Sequence, residues 1–80
     1  MIEAILVTFD VGNELERAAM RNSGLNIGDR IQVRKIAMGK WATTISLVDG
    51  GHYNSSYFKF EENGEPLDIF NDKRFNPYLV

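Results

Sequence analysis

Trp41-Ala42-Thr43-Thr44-Ile45-Ser46-Leu47-Val48, then Asp49-Gly50-Gly51, then Tyr53-Asn54-Ser55-Ser56-Tyr57-Phe58-Lys59-Phe60: this stretch decides the fold. Both runs are rich in β-branched and aromatic residues, which suit a pleated, half-buried surface. Asp-Gly-Gly between them supplies the positive φ angles that a tight hairpin turn demands. Residues 41–48 and 53–60 are therefore expected to pair as the central hairpin of a small β domain. Successive residues of a strand point to opposite faces, so alternation sorts the side chains. Ile45, Leu47, Phe58 and Phe60 are expected inside, together with Ile31 and Val33 from the strand before. Gln32, Arg34, Thr44, Ser46, Tyr53, Ser55, Tyr57 and Lys59 are expected to share the opposite face.

Upstream, residues 2–9 read as the first strand. Ala4, Ile5, Leu6 and Val7 are consecutive and apolar, so both faces of that strand want burial. One face can cover the core; the other is expected to need a helix or a second subunit, which makes a homo-oligomer an expectation. Asn13-Glu14-Leu15-Glu16 is a helix start in which Asn13 caps free amides and Glu16 completes a capping box. Leu15, Ala18, Ala19 and Asn22 would form its apolar stripe, with Gly24 as a left-handed stop. Residues 30–36 form the second strand, and Lys35-Ile36 breaks its alternation, which indicates a bulge. Glu61-Glu62-Asn63-Gly64 is a further turn signal. Leu67, Ile69 and Phe70 are read as a short last strand, and the tail from 71 to 80 is expected to pack back through Phe75, Pro77, Tyr78 and Leu79. The expectation is one mainly β (α+β) domain over residues 1–80, a small five-stranded SH3-like or OB-like barrel with one short helix between strands 1 and 2.

Composition narrows the function classes. The chain has 80 residues, no cysteine and a formal net charge of −2. Without cysteine there is neither a disulfide framework nor a thiolate metal site, which fits a reducing cytoplasm. The slight acidity argues against strong nucleic-acid binding, which calls for a basic stripe. No apolar run approaches the ~20 residues of a membrane span, and Met-Ile-Glu-Ala lacks the basic start of a signal peptide. The expected location is the cytoplasm.

Catalytic patterns are missing. The single histidine, His52, sits in a turn, and nothing orients a relay around Ser55 or Ser56. Glu61 and Glu62 are adjacent on a strand, point oppositely and cannot flank one bond. Asp49, Asp68 and Asp72 are scattered turn residues of the kind that accept local hydrogen bonds. No enzyme activity, no cofactor and no metal site are expected.

Binding chemistry is better represented. The candidate ligand-binding residues are Arg34, Lys40, Trp41, Thr44, Tyr53, Asn54, Ser55 and Tyr57. Aromatic rings stack on bases, at roughly 1–3 kcal/mol per base. Amides and hydroxyls read base edges, while Arg34 and Lys40 offer phosphate partners. So few cations suit a small nucleotide better than a long polyanion. The same side chains also read as ordinary cross-strand pairs on a solvent-facing sheet, or as a protein-docking hot spot, since Trp, Tyr and Arg anchor interfaces.

Met38-Gly39 followed by Thr43, then Tyr53-Asn54-Ser55, Phe58-Lys59-Phe60, Leu67-Asp68-Ile69 and Asn76-Pro77-Tyr78-Leu79 resemble a family of small phage and prophage proteins. The resemblance covers residues 25–79, while the segment from 13 to 22 is longer than that pattern. It implies a phage accessory protein of the host-cell cytoplasm, and by extension an anti-defence sponge for a cyclic-dinucleotide signal. The function expected first is thus a non-enzymatic binder that sequesters a nucleotide. The alternatives are an interaction module that inhibits a host protein and a single-stranded nucleic-acid binder.

Overall fold

Six antiparallel strands in one open sheet, with a single α-helix, make up the computed structural model, which describes residues 1–79; the last position of the expected tail, Val80, lies outside the described residues. The strands are β1 (Ile2–Leu6), β2 (Arg30–Met38), β3 (Thr43–Leu47), β4 (His52–Asn54), β5 (Phe58–Glu62) and β6 (Glu65–Leu67). Helix α1 (Glu14–Arg21) lies between β1 and β2, as expected. The sheet order is β4-β3-β2-β1-β5-β6. A closed five-stranded barrel is therefore corrected to an open sheet of six, with β4 and β6 as its edges. No helix among the described residues is long and apolar enough to cross a membrane.

The central hairpin pairs as its sequence demands, with Thr44 opposite Asn54, Ile45 opposite Tyr53 and Ser46 opposite His52. Gly50 carries the turn at φ +97°, a left-handed value that favours glycine. Gly51 is there for another reason: a Cβ on it would meet the Tyr53 ring at 2.5 Å.

The run from 53 to 60 is not one strand. A 3-10 turn (Ser55–Tyr57) divides it into β4 and β5, which lie at different places in the sheet. Asn54 starts this turn by accepting the Ser56 backbone N–H at 2.9 Å on its Oδ1. The short connection forces the sheet to curl. Three other strands stand between β4 and β5, a span of about 19 Å on a flat sheet at ~4.8 Å per strand. A 3-10 path over those residues advances only ~2 Å per residue, or about 8 Å in all. The Tyr53 and Phe58 rings, one on each strand, accordingly meet with centroids 6.0 Å apart.

The concave side of the curl holds the core. Leu6, Met20, Ile45, Leu47, Tyr57, Phe58, Phe60 and Ile69 cluster there, with Ile31 and Val33 packed against them. In β1, Ala4, Ile5 and Leu6 are all buried within the single chain. Ile5 stands on the face opposite the main cluster, flanked in register by Arg30 and Lys59, whose aliphatic stems can shield it. Ala4, Ile5 and Leu6 are thus covered within the single chain, while Val7, the last residue of the apolar run, is 44% exposed.

Helix α1 has the expected Asn13 cap, whose Oδ1 accepts the Glu16 N–H at 2.9 Å. Its orientation is not the expected one. Met20 is buried, while Leu15 is 83% exposed and Ala18, Ala19 and Asn22 face solvent. The longer Met20 side chain reaches the core, and the stripe of small residues does not. In β2 the alternation breaks between Val33 and Lys35, so Arg34 is the extra residue of a bulge on the exposed side. The expected last strand falls earlier, at β6, and Ile69 and Phe70 belong to a second 3-10 turn (Ile69–Asn71). Between β5 and β6, Asn63 and Gly64 both take positive φ, the pairing that a tight hairpin selects.

Candidate functional site

Where the β2–β3 loop, the first 3-10 turn and the C-terminal tail converge, they enclose a cleft of about 380 Å³. The loop brings Lys40 and Trp41, and its own closure is a Gly39 N–H to Ala42 carbonyl bond of 3.0 Å. Trp41 is 96% exposed. The first 3-10 turn brings Ser55 and Ser56, preceded by Asn54; the second brings Phe70, and the tail brings Asn76 and Tyr78. Phe70 and Tyr78 are each about half exposed, so three aromatic side chains stand at one rim in contact with water.

Asn76 ties the tail side of the cleft together. Its Nδ2 donates to the Phe70 carbonyl at 2.7 Å, and its Oδ1 accepts the Tyr78 N–H at 2.9 Å. One amide thereby sets the spacing between two of the three aromatic residues. The second 3-10 turn is capped in turn by Asp68, which accepts from the Phe70 N–H at 3.0 Å. Arg74 clamps the tail to β5, donating to both carboxylate oxygens of Glu62 at 2.7 and 2.8 Å and also to Asp72. Its guanidinium lies 5.0 Å from the Phe75 ring centroid.

The Arg74 hydrogen bonds hold the carboxyls of Glu62 and Asp72 below their ordinary values. Arg30 does the same for Glu61 through a bond of 2.7 Å. A depressed carboxylate value stabilises the fold above the unfolded-state value, here about 4.5 for glutamate and 3.8 for aspartate, and that contribution is lost as the pH falls through the folded-state value. The melting temperature is expected to hold from pH 7 down to near 5 and then drop. In Arg74→Met the drop should be shallower, with the Arg30–Glu61 share remaining. Thermal melts followed by circular dichroism across that range check this; parallel profiles for the two proteins would refute the clamp.

Half of the expected site residues meet in the cleft, namely Lys40, Trp41, Asn54 and Ser55. The others do not. Tyr57 is corrected from an outward ligand contact to a core residue, 1% exposed, whose hydroxyl donates to the Val11 carbonyl at 2.6 Å. Burial pushes its phenol above the ordinary value, and the Glu16 carboxylate adds to that. Ser55 lines the cleft but is itself buried rather than displayed on an outer face. Tyr53 turns inward, paired with Ile45 and packed against the core. The physical reason is the 3-10 turn, which shifts the alternation between β4 and β5. Arg34 and Thr44 are exposed on the sheet and line none of the cleft, although Thr44 pairs with Asn54, which does.

Phe70, Asn76 and Tyr78 went unrecognised as site residues. Asn-Pro-Tyr carried the available signal, because asparagine before proline is turn chemistry that fixes the following residue. A second cavity of about 510 Å³ adjoins the cleft and shares Ser55, Ser56 and Phe70 with it; Phe58, Phe60 and Leu67 supply apolar wall. Ser46 and His52 are hydrogen bonded at 2.9 Å but lie outside both cavities. Among the described residues, no three His, Asp or Glu side chains gather into a metal-binding group.

No curated protein and no solved structure matches the chain. Over residues 1–80 it matches the family described as Bacteriophage T4 protein Y07B. An open, curled six-stranded sheet with an aromatic cleft at its tail is thus the form taken by a member of a phage protein family: the chain belongs to the Bacteriophage T4 protein Y07B family.

Proposed function

We propose that this phage protein is a non-enzymatic binding module that docks on a host protein through the cleft framed by Trp41, Phe70 and Tyr78. The observation that carries this reading is the 96% exposure of Trp41 beside two half-exposed aromatic rings. A solvated tryptophan forgoes burial worth about 25 cal/mol per Å² of apolar surface. Protein interfaces recover that energy at a few aromatic anchors. The clamp at Arg74 and the tie at Asn76 hold Phe70 and Tyr78 before any partner arrives, which reduces the ordering cost of binding.

A nucleotide ligand is the second reading. Trp41, Lys40 and the Asn54 amide offer a stacking ring, a cation and a polar edge at one place. With Arg34 absent from the lining, a cyclic dinucleotide would meet Lys40 as the only cationic side chain among the described residues of the cleft. Sequestration of such a signal is therefore the weaker anti-defence mechanism, and inhibition of a host protein the stronger. Single-stranded nucleic acid is weaker again, because backbone binding needs several cations along one track.

Photo-cross-linking in infected cells tests this, with a photoreactive amino acid at position 41 or at position 34. A single host protein captured at 41 and absent at 34 is the expected result. Equal capture at both positions would sink the docking reading, as would binding of cyclic dinucleotides in calorimetry with no protein captured.

A further inference from the structure

Hydrogen-bond accounting in the cleft points to the chemistry of its occupant. Both amide oxygens there already accept hydrogen bonds, Asn54 two and Asn76 one. Asn54 Oδ1 accepts both the backbone N–H and the hydroxyl of Ser56, at 2.9 and 2.8 Å, and Asn76 Oδ1 accepts the Tyr78 N–H. One of the two Asn76 Nδ2 hydrogens is spent on the Phe70 carbonyl. Among the described residues, the Trp41 indole N–H, the Lys40 ammonium and the Asn54 Nδ2 make no hydrogen bond. All three are donors. Among the described residues, no carboxylate lines the cleft and Lys40 forms no ion pair. An occupant that complements these three donors brings acceptors and a negative charge.

We infer that the cleft takes an extended, proline-bearing segment of a partner protein, with an acidic residue beside Lys40. The inference rests on the protein-docking reading above. Proline has no backbone N–H. A polyproline II segment makes no internal hydrogen bonds and presents its carbonyls outward as acceptors. Its rings lie flat on aromatic side chains, and aromatic-lined grooves are the surfaces that recognise such segments. The acidic residue supplies the charge that Lys40 lacks.

The neighbouring cavity extends the same groove. Ser55, Ser56 and Phe70 line both cavities, so Phe70 stands as a ridge between an aromatic half that holds Lys40 and a second half walled by Phe58, Phe60 and Leu67, with Lys59, Glu61 and Asp68 also lining it. Polyproline II repeats every three residues, about 9 Å. A segment crossing Phe70 can set a proline against Trp41 and Tyr78 on one side and an apolar residue in the second half.

Selection from a random peptide library displayed on yeast tests this with the full chain. The expected peptides carry prolines at a fixed spacing and an Asp or Glu at one end. Two exposed variants make the result specific. Trp41→Ala should weaken the selected peptides at least about tenfold. Lys40→Glu should exchange the acidic preference for Lys or Arg. Circular dichroism of both variants should match the parent protein, since Lys40 and Trp41 are exposed loop residues. Enriched peptides without proline, or the same peptides on Lys40→Glu, would overturn the inference. An empty selection alongside specific cross-linking at position 41 would also overturn it while leaving the docking reading intact. An empty selection with no cross-link would end both.

Discussion

Tyr57→Ala is expected to cost about 3–5 kcal/mol of stability, the range for truncating a large buried aromatic. A chain of 80 residues has on the order of 4–12 kcal/mol in total, so the variant should lose a large share of its stability. Two losses combine. The ring is 1% exposed among Leu6, Met20 and Phe58, and the hydroxyl is the donor to the Val11 carbonyl. Tyr57→Phe separates them: it keeps the ring and should cost about 1–2 kcal/mol, the share of one buried hydrogen bond. Urea titration followed by far-ultraviolet circular dichroism is the measurement. Trp41 fluorescence would be a poor probe, because an indole 96% exposed in the native state has little further solvent to meet on unfolding. A Tyr57→Ala protein of parental stability would put the side chain outside the core and undo the register of β5.

That residue also shows what the sequence conveyed and where it misled. The hairpin pairing across Asp49-Gly50-Gly51 and the Asn13 helix cap rest on local chemistry, and both are present. The inward set of Ile45, Leu47, Phe58 and Phe60 was legible for the same reason, since each lies within one uninterrupted strand. Tyr53-Asn54-Ser55-Ser56-Tyr57 alternates just as cleanly, yet Asn54 uses its side chain to start a turn, and alternation cannot be carried across it. An asparagine followed by two serines was the overlooked local competitor to the strand. For the helix, a stripe counted by residue type favoured Leu15, Ala18 and Ala19, whereas packing chose the face with Met20. The cleft was half legible. Lys40, Trp41, Asn54 and Ser55 lie close along the chain, but Phe70, Asn76 and Tyr78 join them only through the tail's tertiary contacts. Spacing in sequence carries no trace of those contacts.

Ile69→Ala should destabilise the protein by about 2–5 kcal/mol and remove the cleft in the same step. Ile69 is 1% exposed and belongs to the same cluster as Leu6, Ile45 and Phe58. It is the apolar peg between β6 and the tail. The polar clamps nearby are a weaker hold, because exposed ion pairs lose much of their Coulomb energy to solvent screening and side-chain ordering; Arg74 is roughly half exposed. Burial of Ile69 should therefore decide whether the tail stays docked, with Arg74 refining its placement. The two roles separate experimentally. In Ile69→Ala, the urea midpoint should fall, the amides of Phe75, Asn76 and Tyr78 should exchange with solvent much faster than in the parent, and cross-linking from position 41 should vanish. In Arg74→Met, the urea midpoint at pH 7 should fall by much less than in Ile69→Ala, while cross-linking weakens. Unchanged exchange at Asn76 in Ile69→Ala would mean that the clamp alone holds the tail, and the order of importance would be reversed. Phe70 sits one residue beyond the peg and Tyr78 is tied back through Asn76, so the stability of a core side chain and the shape of a surface cleft are one property of this chain.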